Sequence, residues 1–210
     1  MGKVYNEIAG RNLDRLAGLS DGIFAFAMTL LALDLRPPDF PVVHSEAELW
    51  SAVSTQMLPR LIPYLMSFMT LGIFWVGQQT QLNVLSRTDR NLTWLHIAVL
   101  LTITLLPLTT WLLASHPAYR VALAAYWINI LLYGITVYAA WEYAVRAQLV
   151  APEMPAAMLV AVPRRIIAAQ SLYAAGAALC LINTYVSIAF IMLVQLNYVL
   201  APRLRWLYRL

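Results

Sequence analysis

Polar and apolar positions divide this chain into six apolar windows joined by short polar connections. The first window is Arg15 to Leu35, RLAGLSDGIFAFAMTLLALDL. A polar head of Arg15, Ser20, Asp21 and Gly22 precedes thirteen residues whose only polar members are Thr29 and Asp34. Such a run predicts a membrane-spanning helix over about 16–35, since roughly 20 mainly apolar residues cross the hydrocarbon. Five more windows predict helices over about 57–85, 92–115, 119–148, 166–182 and 185–200. Between the first two, Pro37, Pro38 and Pro41 followed by HSEAELWSAV predict an extended loop and a short surface helix. Pro107 falls inside the third window, where a kink is expected because proline cannot donate the ladder hydrogen bond. Pro152 to Arg165 reads as a linker into the fifth helix, and Asn183-Thr184 as a tight turn before the sixth.

Composition agrees with this pattern. Hydrophobic residues make up 61% of the 210 and charged residues 11%, against roughly 25% charged in soluble domains. Six spans with short connections leave no room for a soluble domain, so residues 1–210 are expected to form one all-α polytopic unit in the lipid bilayer. No small-residue cleavage site follows the first window, so that helix is expected to remain in the mature protein. The single Cys180 can form no internal disulfide. His44, His96 and His116 are scattered, and there is no Gly-rich phosphate loop and no HExxH. Neither catalysis nor a cofactor is expected, and no nucleic-acid partner.

Charge adds an orientation. With six spans and an internal N-terminus, one side holds Lys3, Arg11, Arg15, Arg87, Arg90, Arg146, Arg164, Arg165, Arg203, Arg205 and Arg209. The other holds Arg36, Arg60 and Arg120. Eleven against three places both termini in the cytoplasm of a multi-pass cell-membrane protein, because cytoplasmic loops carry the Lys and Arg excess.

Three features of the first helix are candidates for function. Gly22, Phe26, Thr29 with Leu30 beside it, and Leu33 share one helical face, a row that suits packing, lipid contact or a pore lining. The Thr29 hydroxyl can bond back to a carbonyl three or four residues earlier. Asp21 lies where an acid must be paired or wet. Ser20 can cap the helix there, with Asp21 at its positive end. Arg15 and Asp21 are separated by about 240° around a continuous helix and cannot pair. Each is instead expected to reach polar groups at the same depth on the second and third helices: Trp75, Gln78, Trp94 and His96. Elsewhere, Glu142 with Arg146 is a local i, i+4 pair, and Asn129, Asn183, Gln195 and Asn197 are candidates for interhelical hydrogen bonds.

Arg15-x-x-x-Leu19-Ser20-Asp21-Gly22, with its apolar helix ending in Leu-Asp-Leu, resembles the RxxxFSD signature of the transmembrane protein 175 family of endo-lysosomal potassium channels. Phe74-Trp75, Leu92-Thr93-Trp94-Leu95 and Leu105-Leu106-Pro107-Leu108-Thr109 agree with that family too. A single set of six helices is similar to its prokaryotic members, which implies a homotetramer. The resemblance further implies that the first helix of each subunit lines a potassium pore without a carbonyl filter. Its narrowest ring falls on Phe26, its filter threonine, with a potassium ion nearby, on Thr29, and its outer ring on Leu33. Arg15, Ser20 and Asp21 would support the pore helix. The chain departs from the family pattern with Leu19 for the motif phenylalanine and Phe26 for the constriction isoleucine. Gln78-Gln79 stand where many members have histidines, and His96 where many have asparagine. Passive, weakly selective potassium conduction is the expected function. The alternative is a non-conducting assembly or binding protein that uses the same stripe as an oligomer interface.

Overall fold

The computed structural model describes residues 12–35 and 41–200. Readings that rest on Lys3, Arg11, Arg36 and the tail arginines Arg203, Arg205 and Arg209 lie outside these residues. Six long helices, α1 (Leu13–Leu33), α3 (Leu58–Leu82), α4 (Arg90–Ser115), α5 (Arg120–Arg146), α6 (Ala156–Ala178) and α7 (Thr184–Leu200), pack with a short α2 (Glu46–Ala52). α1, the continuous run Glu46–Leu82, α4 and α5 are long and apolar enough to cross a membrane. α6 carries Arg164 and Arg165 within it, and α7 has 17 residues.

Side chains set most of the helix starts. Asn12 caps α1 by accepting from the Arg15 N–H at 3.0 Å, and Asp89 caps α4 through the Leu92 N–H at 2.8 Å. Ser45 accepts from the Glu48 N–H while the Glu48 carboxylate accepts from the His44 N–H, a reciprocal arrangement that fixes α2. Asn183 caps α7 through the Tyr185 N–H at 2.8 Å.

Three boundaries differ from those read in the sequence. α2 is not a separate surface helix. A five-residue π-helical turn, Val53–Met57, carries it straight into α3, giving a 37-residue run of about 55 Å at 1.5 Å per residue. Pro59 follows directly after that turn, where its missing N–H takes one donor out of the ladder of the continuous run. At its far end α3 stops at Leu82 and not Leu85, and residues 83–85 turn into the next loop. α6 begins at Ala156, ten residues before the predicted start, with Pro163 inside it. Pro163 and the two arginines imitate a linker, yet a single missing ladder bond does not stop a helix flanked by alanine and valine.

α1 packs against α3 and α4, α5 against α4 and α6, and α7 against α3 and α6. One apolar cluster runs through the bundle, with Phe24, Met66, Leu71, Ile103, Leu106, Leu123, Ile130 and Ile191 among its members. A second, at the end where α1 begins, gathers Leu16, Leu82, Leu85, Leu92, Ala144 and Leu149. There the loops after α3 and α5 pair: the Ser86 N–H donates to the Leu149 carbonyl and the Ala151 N–H to the Val84 carbonyl, both at 2.9 Å. α5 packs on α6 with Gln170 lying over Gly134, where a β-carbon would collide with that side chain.

Candidate functional site

α1 has two unlike faces. Leu16, Ser20, Phe24, Ala27 and Leu31 are buried against α3 and α4. Gly22, Phe26, Thr29 and Leu33 lie on the opposite side, with Phe26 63% and Leu33 71% exposed in the single chain. Leu30, beside Thr29, is half-buried. The predicted stripe therefore lies on the face that the subunit's own helices leave uncovered. The Thr29 hydroxyl donates to the Phe26 carbonyl at 2.8 Å. Its proton is engaged within the helix, and the lone pairs of its oxygen remain for an external partner.

Asp21 anchors α1 to α3. The Trp75 indole N–H donates to Asp21 Oδ1 at 2.8 Å, and the Gln79 amide donates to the same oxygen at 2.6 Å. One turn of α3 supplies both donors because positions 75 and 79 lie on the same face. Beside them, the buried Gln78 amide donates to the buried Ser20 hydroxyl at 3.3 Å. Ser20 is thus an interhelical acceptor in mid-helix. It is not a cap, because α1 starts two turns earlier at Asn12.

The remaining predicted support residues are placed differently. His96 is buried, but its Nδ1 pairs with the Leu92 carbonyl of its own helix at 3.0 Å, so it does not reach Asp21. Trp94 is 60% exposed on the outside of α4. Arg15 is exposed, and among the described residues its guanidinium has no partner. The expected cluster of Trp75, Gln78, Trp94 and His96 around Asp21 thus reduces to Trp75, with Gln78 on Ser20. Gln79 supplies the other donor to Asp21. Its amide can donate where the sequence pattern marked only a departure from the family histidine. At the far end of α1, burial pushes the Asp34 carboxyl above its usual range and the Arg60 guanidinium draws it back.

Sequence reading also missed most of a buried network that joins α3, α4, α5 and α7. The Thr110 hydroxyl donates to Ser67 Oγ at 2.7 Å, Thr70 and Tyr126 share a hydrogen bond of 2.9 Å, and the Gln195 amide donates to Thr70 at 2.7 Å. All five residues are at most a few per cent exposed. Only Gln195 was anticipated as interhelical glue. Ser67 and Thr70 follow a helical spacing on α3, but in a membrane sequence hydroxyls at that spacing are indistinguishable from ones that bond back to their own helix. Away from the core, Arg146 and Glu142 form the expected i, i+4 ion pair at 3.2 Å, worth only a few tenths of a kcal/mol at an exposed site. Among the described residues no group of three or more His, Cys, Asp or Glu side chains is placed to hold a metal ion.

Comparison with known proteins follows the same geography. The family model described as the endosomal/lysosomal potassium channel TMEM175 matches residues 15–107, which hold α1, α3 and most of α4. A potassium channel of Streptomyces collinus is 32% identical over 136 residues, covering 63% of this chain and 64% of that one. A potassium channel of Chamaesiphon minutus is 27% identical over 190 residues, covering 89% and 93%. The mouse endosomal/lysosomal proton channel TMEM175 is 28% identical over 116 residues, 53% of this chain and 22% of that much longer one. The crystal structure of a lysosomal potassium-selective channel TMEM175 homolog from Chamaesiphon minutus superposes with a TM-score of 0.73 at 22% identity. That superposition covers 91% of this chain and 98% of the other. Family model and relatives agree that this chain is similar to the TMEM175 channels over α1, α3 and most of α4, and the superposition shows that it shares their six-helix fold.

Proposed function

We propose that this chain is one subunit of a homotetrameric, potassium-permeable cation channel of modest selectivity in the cell membrane, with both termini cytoplasmic and α1 lining the central pore. The observation that carries the reading is the uncovered stripe of Phe26, Thr29 and Leu33 on a helix whose other face is fully packed. Potassium appears in the names of the two bacterial relatives and of the matching family model. Four copies of α1 around an axis would stack rings of Phe26, Thr29 with Leu30, and Leu33. Apolar rings gate by dewetting and penalise ions that hold water tightly, while threonine oxygens replace part of a potassium ion's hydration. The Thr29 oxygen suits that task because its hydrogen is already committed to the Phe26 carbonyl. Trp75 and Gln79 on Asp21, and Gln78 on Ser20, would fix the rotation of α1 and thereby aim the stripe.

Flux through purified protein in liposomes loaded with potassium and diluted into sodium tests the reading, with a proton ionophore to balance charge. Potassium-driven flux is the expected result, and Thr29→Ala is expected to lower potassium-over-sodium preference more than total flux. No flux from liposomes verified to contain tetramers would overturn it. The animal relatives are named proton channels. Omitting the ionophore and following internal pH therefore separates a pore that passes protons as well as potassium, which acidifies the lumen as protons enter to balance the potassium leaving, from a pore that passes potassium alone, which does not.

A further inference from the structure

Tyr126 and Tyr133 lie seven residues apart on α5 and so share one face of that helix. Both are buried, and both send their hydroxyl groups across to α3. Tyr126 shares a hydrogen bond of 2.9 Å with Thr70, and Tyr133 donates to the Phe74 carbonyl at 2.9 Å. The Phe74 and Tyr133 rings are also stacked, with centroids 3.6 Å apart and planes within 6° of parallel. In a continuous helix the Phe74 carbonyl already accepts from the Gln78 N–H, so the tyrosine takes its second lone pair. Tyr133 therefore holds α3 by backbone and side chain at one residue, and α3 cannot turn there without losing both contacts.

That hold falls on the turn of α3 that meets α1. Trp75 and Gln79 donate to Asp21, and Gln78 donates to Ser20. Seen down the helix, Trp75 and Gln79 lie about 100° and about 140° round from Phe74. With Phe74 pinned to Tyr133, those two donors are directed at α1. A rotation of α3 that freed Phe74 would carry both of them off Asp21. Thr70, where Tyr126 bonds, lies a turn further from these donors and belongs to the separate network with Ser67, Thr110 and Gln195.

We propose that Tyr133 is a positioning residue for the pore helix. It sets the rotation of α3, α3 presents Trp75 and Gln79 to Asp21, and Asp21 aims the stripe of Phe26, Thr29 and Leu33. Hydrogen bonds and packed rings that each have one arrangement can carry such a coupling between helices. The contact ties the pore helix to α5, which lies beyond the residues 15–107 that the family model matches. This inference rests on the channel reading above and names what holds its pore helix in register.

The full chain carrying 5-fluorotryptophan, read by fluorine NMR and by the liposome flux above, tests it. The Trp75 resonance is assigned by its loss in Trp75→Phe, and its position without the Asp21 bond by Asp21→Ala. Tyr133→Phe removes the hydroxyl and keeps the ring. It is expected to move the Trp75 resonance toward its place in Asp21→Ala and to lower potassium-over-sodium preference about twofold or more. Added to Asp21→Ala, it is expected to change the preference no further, because both act through one contact. Phe74→Leu removes the stack but leaves the carbonyl, and is expected to move the same resonance in the same direction. Tyr126→Phe takes a hydroxyl from the same face of α5 and is expected to lower Tm with the Trp75 resonance and the preference unmoved. A Trp75 resonance that stays in place in Tyr133→Phe, or that moves equally in Tyr126→Phe, would overturn the proposal. So would a moved resonance with an unchanged preference in a conducting channel. If the parent passes no potassium, the channel reading falls, and a moved Trp75 resonance still supports the hold of Tyr133 on the Asp21 contact. If the parent conducts and the resonance stays in place, only the role of Tyr133 falls.

Discussion

Phe24 and Phe26 are two residues apart on one helix, chemically identical, and 1% and 63% exposed. Phe24 is held in the main apolar cluster, of which Met66 and Ile103 are also members, while Phe26 lies on the uncovered side of α1. In a soluble protein the second phenylalanine would be an anomaly. In a bilayer it has two ordinary surroundings, lipid and another protein surface, and only the first would leave its identity unconstrained. The contrast separates what folds the subunit from what the assembled subunits do. It makes the two faces of α1 independently testable.

Phe24→Ala is expected to give the largest loss of stability. Removing a buried aromatic leaves a cavity that the neighbouring helices fill incompletely, at a cost of about 3 kcal/mol. Packing, which supplies most of the cohesion between membrane helices, is what is lost. Thermal unfolding in detergent should show a marked fall in Tm for this variant. An unchanged Tm would mean that α1 does not depend on its buried face.

Asp21→Ala comes second. It removes the acceptor shared by Trp75 and Gln79, a pair of charge-assisted bonds worth about 1–2 kcal/mol after allowance for their exposure. Asp21→Asn keeps an oxygen for both donors and loses only the charge, so its Tm should fall by less than that of the alanine variant. Equal losses would show that the charge, and not the hydrogen bonds, holds α1 to α3.

How much of this was legible in the sequence follows from what each residue's signal depends on. The stripe of α1 was readable because helical periodicity alone assigns residues to a face, and the buried set of Leu16, Ser20, Phe24, Ala27 and Leu31 is its complement. Trp75 was readable as a partner of Asp21 from depth in the membrane. Gln79 was hidden because Gln78, its neighbour, looked equally suitable, and only the rotation of α3 decides which of two adjacent amides reaches the carboxylate. Trp94 and His96 do not reach Asp21 for the same kind of reason, since the rotation of α4 leaves Trp94 on its outside and His96 on the Leu92 carbonyl. The start of α6 was misplaced because Pro163, Arg164 and Arg165 are local signals of a linker, whereas continuation of the helix is decided by its docking on α5 through Gly134 and Gln170. The network of Ser67, Thr70, Thr110 and Tyr126 needs four helices to be brought together before any of its bonds exist.

Phe26→Ala should have the smallest effect on the fold and the clearest effect on function, which is where the two faces of α1 differ most. The side chain touches no buried cluster of its own subunit, so unfolding of the isolated chain should change by less than about 0.5 kcal/mol, the usual range for a substitution away from packed features. If four phenylalanine rings form the narrowest apolar constriction, replacing them with methyl groups widens it and lowers the cost of keeping water in it. Liposome flux is then expected to rise while potassium-over-sodium preference flattens. A lipid-facing Phe26 would give neither change, and a Phe26 that serves only to seat the neighbouring subunit would give weaker assembly without faster flux. Measured together, Tm, tetramer fraction and flux therefore assign the ring to one of three surroundings, and only the combination of intact fold, intact tetramer and faster, less selective flux places it at the constriction.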